Sequence, residues 1–65
     1  MAFERKYKDG RSEWELVSKD LVEQTLQNNY HNVSLLMAEM QECPGRIIET
    51  KFSYFKYVAD NRAGD

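Results

Sequence analysis

Residues Arg46–Val58 read RIIETKFSYFKYV. The stretch holds four aromatic rings and three positive charges, and it lacks Gly, Pro, Asn and Asp. β-branched and aromatic residues at this density favour a strand. As one strand it sets Ile48, Thr50, Phe52, Tyr54, Lys56 and Val58 on one face, with Ile47, Glu49, Lys51, Ser53, Phe55 and Tyr57 on the other. It would then be roughly 40 Å long, at about 3.3 Å per residue. Ile48, Phe52, Phe55 and Ala59 also fit a helical stripe, so a helix over residues 46–58 is the alternative. Apolar groups lie on both faces of the strand, where a strand on one helical layer should show a polar outer face. Phe55 and Tyr57 therefore have to cover a second layer, meet a symmetry mate or bind a ligand.

Upstream lie two punctuation marks, Asp9-Gly10 and Cys43-Pro44-Gly45. The first reads as a turn and the second as a helix end. Between them, Val22, Leu26, Tyr30, Val33, Met37 and Met40 recur at helical spacing. Trp14, Val17 and Leu21 form a similar stripe at an offset angle. Ser12 and Glu15 have the spacing of a capping box. One reading is therefore a continuous helix over residues 12–42, about 45 Å long at 1.5 Å per residue. The other is two helices broken at Asn28, Asn29, His31 and Asn32, because Asn favours caps and turns. The unbroken stripe through Tyr30 and Val33 favours continuity. Ahead of the first turn, Phe3, Arg5 and Tyr7 alternate with Glu4, Lys6 and Lys8, a strand pattern.

Sixty-five residues make one domain. A chain this short buries only about 60% of its unfolded surface, so it gains most from a staple or a partner subunit. Cys43 is the single cysteine and His31 the single histidine, which excludes an internal disulfide and a closed Cys/His zinc site. Self-association is the staple that remains. The start, MAFERKYKDG, is charged where a signal peptide needs an apolar core. The longest apolar run, Leu35–Ala38, is far below the roughly 20 residues of a membrane span. A free thiol without an export signal points to the cytoplasm.

The net charge of −2 conceals a division: residues 1–11 carry +2, residues 12–45 carry −5 and residues 46–65 carry +1. The expected strands are basic and aromatic, and the expected helix is acidic. Catalysis finds little support. Cys43 and His31 lie about 18 Å apart along a continuous helix. The three glycines, at 10, 45 and 64, build no phosphate loop.

The expectation is a single α+β domain over residues 1–65, with 60–65 a frayed tail. A short N-terminal strand, a long or broken acidic helix and a long aromatic C-terminal strand form an antiparallel sheet completed by dimerisation. The expected function is a non-enzymatic protein-interaction or regulatory module. It would act through Phe55 and Tyr57 and through Glu13, Asp20 and Glu23 on the acidic helix face. The partners would be a second copy and another protein, with no membrane. The alternative is a single-stranded nucleic-acid binder using Lys51, Tyr54, Lys56 and Tyr57, with Arg5-Lys6-Tyr7-Lys8 as an extension, because basic grooves with aromatic platforms hold such strands. No catalytic residue, cofactor or metal ligand is expected.

Overall fold

The computed structural model describes residues 2–59. Six elements follow one another: β1 (Ala2–Tyr7), β2 (Glu15–Val17), α1 (Lys19–Gln27), α2 (Val33–Glu42), β3 (Ile48–Glu49) and β4 (Ser53–Val58). The strands form one antiparallel sheet in the order β2-β1-β4-β3. The α+β class and the antiparallel sheet agree with expectation. The expected tail, residues 60–65, lies outside the described residues.

The N-terminal strand forms as its alternation predicts. The expected capping box at Ser12 does not. Asp9 takes Ser12 instead: its carboxylate accepts the Arg11 N–H at 2.9 Å, the Ser12 N–H at 2.8 Å and the Ser12 hydroxyl at 2.9 Å. Gly10 supplies φ +78° in this turn, a conformation that costs glycine little. The chain then reverses, and Glu15–Val17 pairs with β1. Arg5 clamps the pair through a 2.9 Å bridge to Glu15.

The helix begins only at Lys19. Ser18 caps it by accepting the Leu21 N–H at 3.1 Å. Of the two helical readings, the broken one is realised. Asn28 closes α1, and Asn32 opens α2 by accepting the Leu35 N–H at 3.2 Å. The two asparagines act as caps, for which their short polar side chains are suited. The stripe is nevertheless core: Val22, Leu26, Val33, Met37 and Met40 are all buried. Tyr30 is the exception. It sits in the interhelical link, and its hydroxyl donates to the Glu49 carbonyl.

The Arg46–Val58 stretch is neither one long strand nor a helix. It is a hairpin, and Thr50–Phe52 make the turn. The Thr50 N–H donates to the Ser53 carbonyl at 2.8 Å, and the Ser53 N–H donates to Thr50 Oγ1 at 3.1 Å. Hydroxyls and backbone thus build the turn without Gly, Pro, Asn or Asp. The reversal also explains the apolar groups on both faces. Ile48 and Phe55, assigned to opposite faces of a single strand, pair across the hairpin and share one face.

The core lies between that face and the two helices. Phe3, Ile48 and Phe55 from the sheet meet Val22, Leu26, Val33, Met37 and Met40. Among the described residues, no helix lies on the other face of the sheet. Strand β4 has neighbours on both sides, so the expected pairing of this strand with its twin has no free edge to use. One chain supplies four strands by itself. Among the described residues, no helix is long and apolar enough to cross a membrane.

Candidate ligand-binding surface at the open face and end of the sheet

Strand alternation sorts the side chains of the sheet. Phe3, Arg5 and Tyr7 face the helical side with their partners Tyr57, Phe55 and Ser53. Glu4 and Lys6 face the open side with Lys56 and Tyr54. Leu16 and Glu49, opposite Glu4 and Tyr54, extend the open face to both edges.

This sorting divides the expected interaction residues. Phe55 has no exposed surface and lies at the centre of the core. It is corrected from a contact residue to a core residue, because the hairpin turns it toward the helices. Tyr57 also faces inward, packed edge-on against Phe3 with ring centroids 5.0 Å apart. Glu13 lies in the loop before β2, whereas Asp20 and Glu23 lie on α1. These three do not share one helix face, since the helix starts six residues after Glu13. The alternative quartet is divided too. Tyr54 and Lys56 share the open face, Lys51 lies in the hairpin turn, and Tyr57 is on the far side.

On the open face, each of two lysines is held by a ring and a carboxylate. Lys56 Nζ is 4.2 Å from the Trp14 ring centroid and 3.9 Å from Glu4 Oε1. Lys8 Nζ is 5.2 Å from the Tyr54 centroid and bridges Glu49. Each cation–ring contact is worth roughly 0.5–1 kcal/mol at an exposed site. Lys6 makes no ion pair among the described residues. Exposed Leu16 and Ile47 mark the flanks of this face.

At the end of the sheet, where β1 leaves and β4 enters, the surface becomes concave. A cavity of about 280 Å³ lies against the end of α1, lined by Arg5, Tyr7, Thr25, Asn29, Lys51 and Phe52 among others. A shallower cavity of about 340 Å³ adjoins it, sharing Tyr7, Lys51 and Phe52 and adding Lys8 and Asp9. Phe52, in the hairpin turn, is 69% exposed. Lys51 Nζ lies 5.3 Å from the Phe52 centroid, and the Arg5 guanidinium lies 4.5 Å over Tyr7. Arg5 Nε is buried without a hydrogen-bond partner. An unpaired buried donor costs about 1–3 kcal/mol, so an acceptor placed at Nε would be favourable, although the same guanidinium already bridges Glu15. Asp9 at the rim is held ionised by the Arg11 and Ser12 N–H groups and the Ser12 hydroxyl, which lower its pKa.

Sequence reading named Lys51, Tyr54 and Lys56, with Arg5, Lys6, Tyr7 and Lys8 as an extension, but not Thr25 and Asn29. These two come from the helical region, and only the fold brings them to the end of the sheet. The sole cysteine and histidine are both exposed, Cys43 at the end of α2 and His31 in the interhelical link. Among the described residues, no group of three or more His, Cys, Asp or Glu side chains is placed to hold a metal ion. No family model matches the chain, and neither a curated protein nor a solved structure matches it.

Proposed function

We propose that this chain is a small non-enzymatic binding module whose ligand is a single-stranded nucleic acid, held at the cationic aromatic end of the sheet and across its open face. One observation carries the reading: two adjoining cavities share Tyr7, Lys51 and Phe52, and Arg5 and Lys8 flank them. Single strands are held by cations that follow the phosphates and by rings on which bases stack. The acidic groups of the helices, Asp20, Glu23, Glu39 and Glu42, belong to the opposite layer. Carboxylates on or beside the proposed path are each engaged, Glu4 by Lys56, Glu49 by Lys8, Glu15 by Arg5 and Asp9 within its own turn, which offsets a sequence pI of about 5.3.

A protein partner is the competing reading, and Leu16 and Ile47 on the open face favour it. It has lost Phe55 to the core and Tyr57 to the packing against Phe3. Regulation through such a partner, or through a second copy, would have to use the open face rather than a strand edge. The outer strands are three and two residues long, which leaves few backbone groups to pair.

The test is fluorescence anisotropy of labelled single-stranded RNA and DNA at low and at physiological salt. Binding should weaken with salt. Phe52→Ala and Lys51→Glu, both in the exposed turn, should weaken it by about tenfold or more with the thermal midpoint unchanged, since one stacked base is worth about 1–3 kcal/mol. An unchanged anisotropy at about 50 µM protein and low salt, where sequence-independent binding is strongest, would sink the reading and leave the protein partner as the explanation of the open face.

A further inference from the structure

The deeper of the two cavities has features that a sequence-tolerant stacking surface does not need. It is about 280 Å³, just below the roughly 300–1,000 Å³ range for small-molecule sites. Its floor is fixed. The Asn29 amide donates to the Thr25 carbonyl at 3.0 Å and accepts the Lys51 N–H at 3.3 Å. The Thr50 and Ser53 hydroxyls lie 2.8 Å apart and satisfy each other. The groups left over are mostly donors: Arg5 Nε, buried and unpartnered, and the Lys51 ammonium, which makes no ion pair among the described residues. The Thr25 hydroxyl, also on the wall, makes no side-chain hydrogen bond among them. Two rings, Tyr7 and Phe52, complete the wall. Three carboxylates lie at this end, and each is occupied: Glu15 by Arg5, Glu49 by Lys8, and Asp9 by its own turn.

We infer that this cavity is a subsite for one nucleotide, a planar ring bearing an anionic oxygen group. The ring lies against Tyr7 and Phe52, and the phosphate is received by Arg5 and Lys51. The choice of ligand rests on the nucleic-acid reading above. The chemistry is the surplus of donors beside flat apolar walls. An uncharged nucleoside would leave the Lys51 ammonium and the Arg5 Nε–H unmatched, and inorganic phosphate would leave the rings uncovered. The nucleotide comes either as one unit of a strand or free in solution, and the two sources are separable.

The experiment is a set of titrations of the isotope-labelled full chain, followed by amide chemical shifts at constant ionic strength. The probes are adenosine 5′-monophosphate, uridine 5′-monophosphate, adenosine, inorganic phosphate and a short single strand. The inference expects either monophosphate to move the amides of Thr25, Asn29, Lys51, Phe52 and Ser53. Adenosine and phosphate should bind at least about tenfold more weakly, as loss of either charge-assisted or stacking contacts implies. Thr25→Val and Lys51→Ala should each weaken the monophosphate without unfolding the chain. It is overturned if neither monophosphate moves these amides at millimolar concentration, or if the shifts fall only on Lys6, Tyr54 and Lys56. A strand that binds while these amides stay still removes the subsite and leaves the proposed function intact. A monophosphate that seats here while strands fail to bind upholds the subsite, assigns it to a free nucleotide and removes the strand reading.

Discussion

Phe55 and Asp9 show how one residue can decide the local structure. Phe55 has no exposed surface and faces the Arg5 and Ile48 positions of its two neighbouring strands. Truncating a buried Phe to Ala costs about 3–5 kcal/mol, comparable to the whole stability expected of a chain this short. Phe55→Ala should therefore lose its cooperative thermal transition. A variant that melts within a few degrees of the parent would show that Phe55 is not at the centre of the core. Asp9 acts through hydrogen bonds alone. Because its folded pKa is lowered, chiefly by the Arg11 N–H and then by Ser12, its contribution is complete above the unfolded value of about 3.9. That contribution is lost as pH falls through the folded value. Carbon-detected titration of the Asp9 carboxyl should give a midpoint below about 3.9. A midpoint at or above it would mean that the turn is open in solution. Neither residue's role was legible from neighbours in sequence. Ser12 has suitable spacing both to Asp9 and to Glu15, and only the pairing of residues 15–17 with β1 decides between them.

At the scale of elements, the sequence was most informative about the apolar face of the helices and least about breaks. The stripe from Val22 to Met40 identified the core residues correctly, Tyr30 apart, yet it concealed the break, because both helices turn the same apolar side to one sheet. The signal for the break was chemical rather than periodic: Asn28 and Asn32 stand where a cap is needed. In the hairpin even that signal is absent. Thr50 and Ser53 are residues that a strand accepts. Their turn becomes visible only when Thr50 Oγ1 is seen 3.0 Å from the Ser53 carbonyl and 3.1 Å from its N–H. Both residues are buried, so the loss of one hydroxyl leaves its partners unsatisfied. Thr50→Val keeps the shape and removes the hydrogen bonds. It should lower stability by about 1–3 kcal/mol, a fall in thermal midpoint of at least about 4 °C for a domain of this size. A shift under about 2 °C would show that strand pairing alone holds the turn. The same turn presents Lys51 and Phe52 to the cavities, so its stability and the shape of the proposed site are coupled.

Across the whole molecule, the charge division seen along the chain becomes a division in space. The helices carry Asp20, Glu23, Glu39 and Glu42 against Lys19, while the sheet and its end carry most of the cations. Sequence reading captured the sign of each part but not the pairing within the sheet, which depends on strand register. Glu4 lies opposite Lys56, and Glu49 lies near enough to bridge Lys8. That pairing limits how strongly the proposed ligand can depend on salt. A lysine already neutralised by a carboxylate releases few counterions from a phosphate. Lys6, Arg11 and Lys51 have no ion pair among the described residues. Three such contacts to a single strand give a slope of log K against log salt of about −2, at roughly −0.7 per phosphate. Glu49→Gln frees Lys8 without changing its position in the chain, and the Glu49 carbonyl still receives the Tyr30 hydroxyl. Binding to the variant should be tighter at low salt, with a slope steeper by about 0.7. Glu39→Gln, which frees Arg46 instead, adds the same unit of charge at the far end of α2 and should leave the slope unchanged. Equal steepening in the two variants would show that the strand responds to net charge alone, and that the cationic end of the sheet has no special part in holding it.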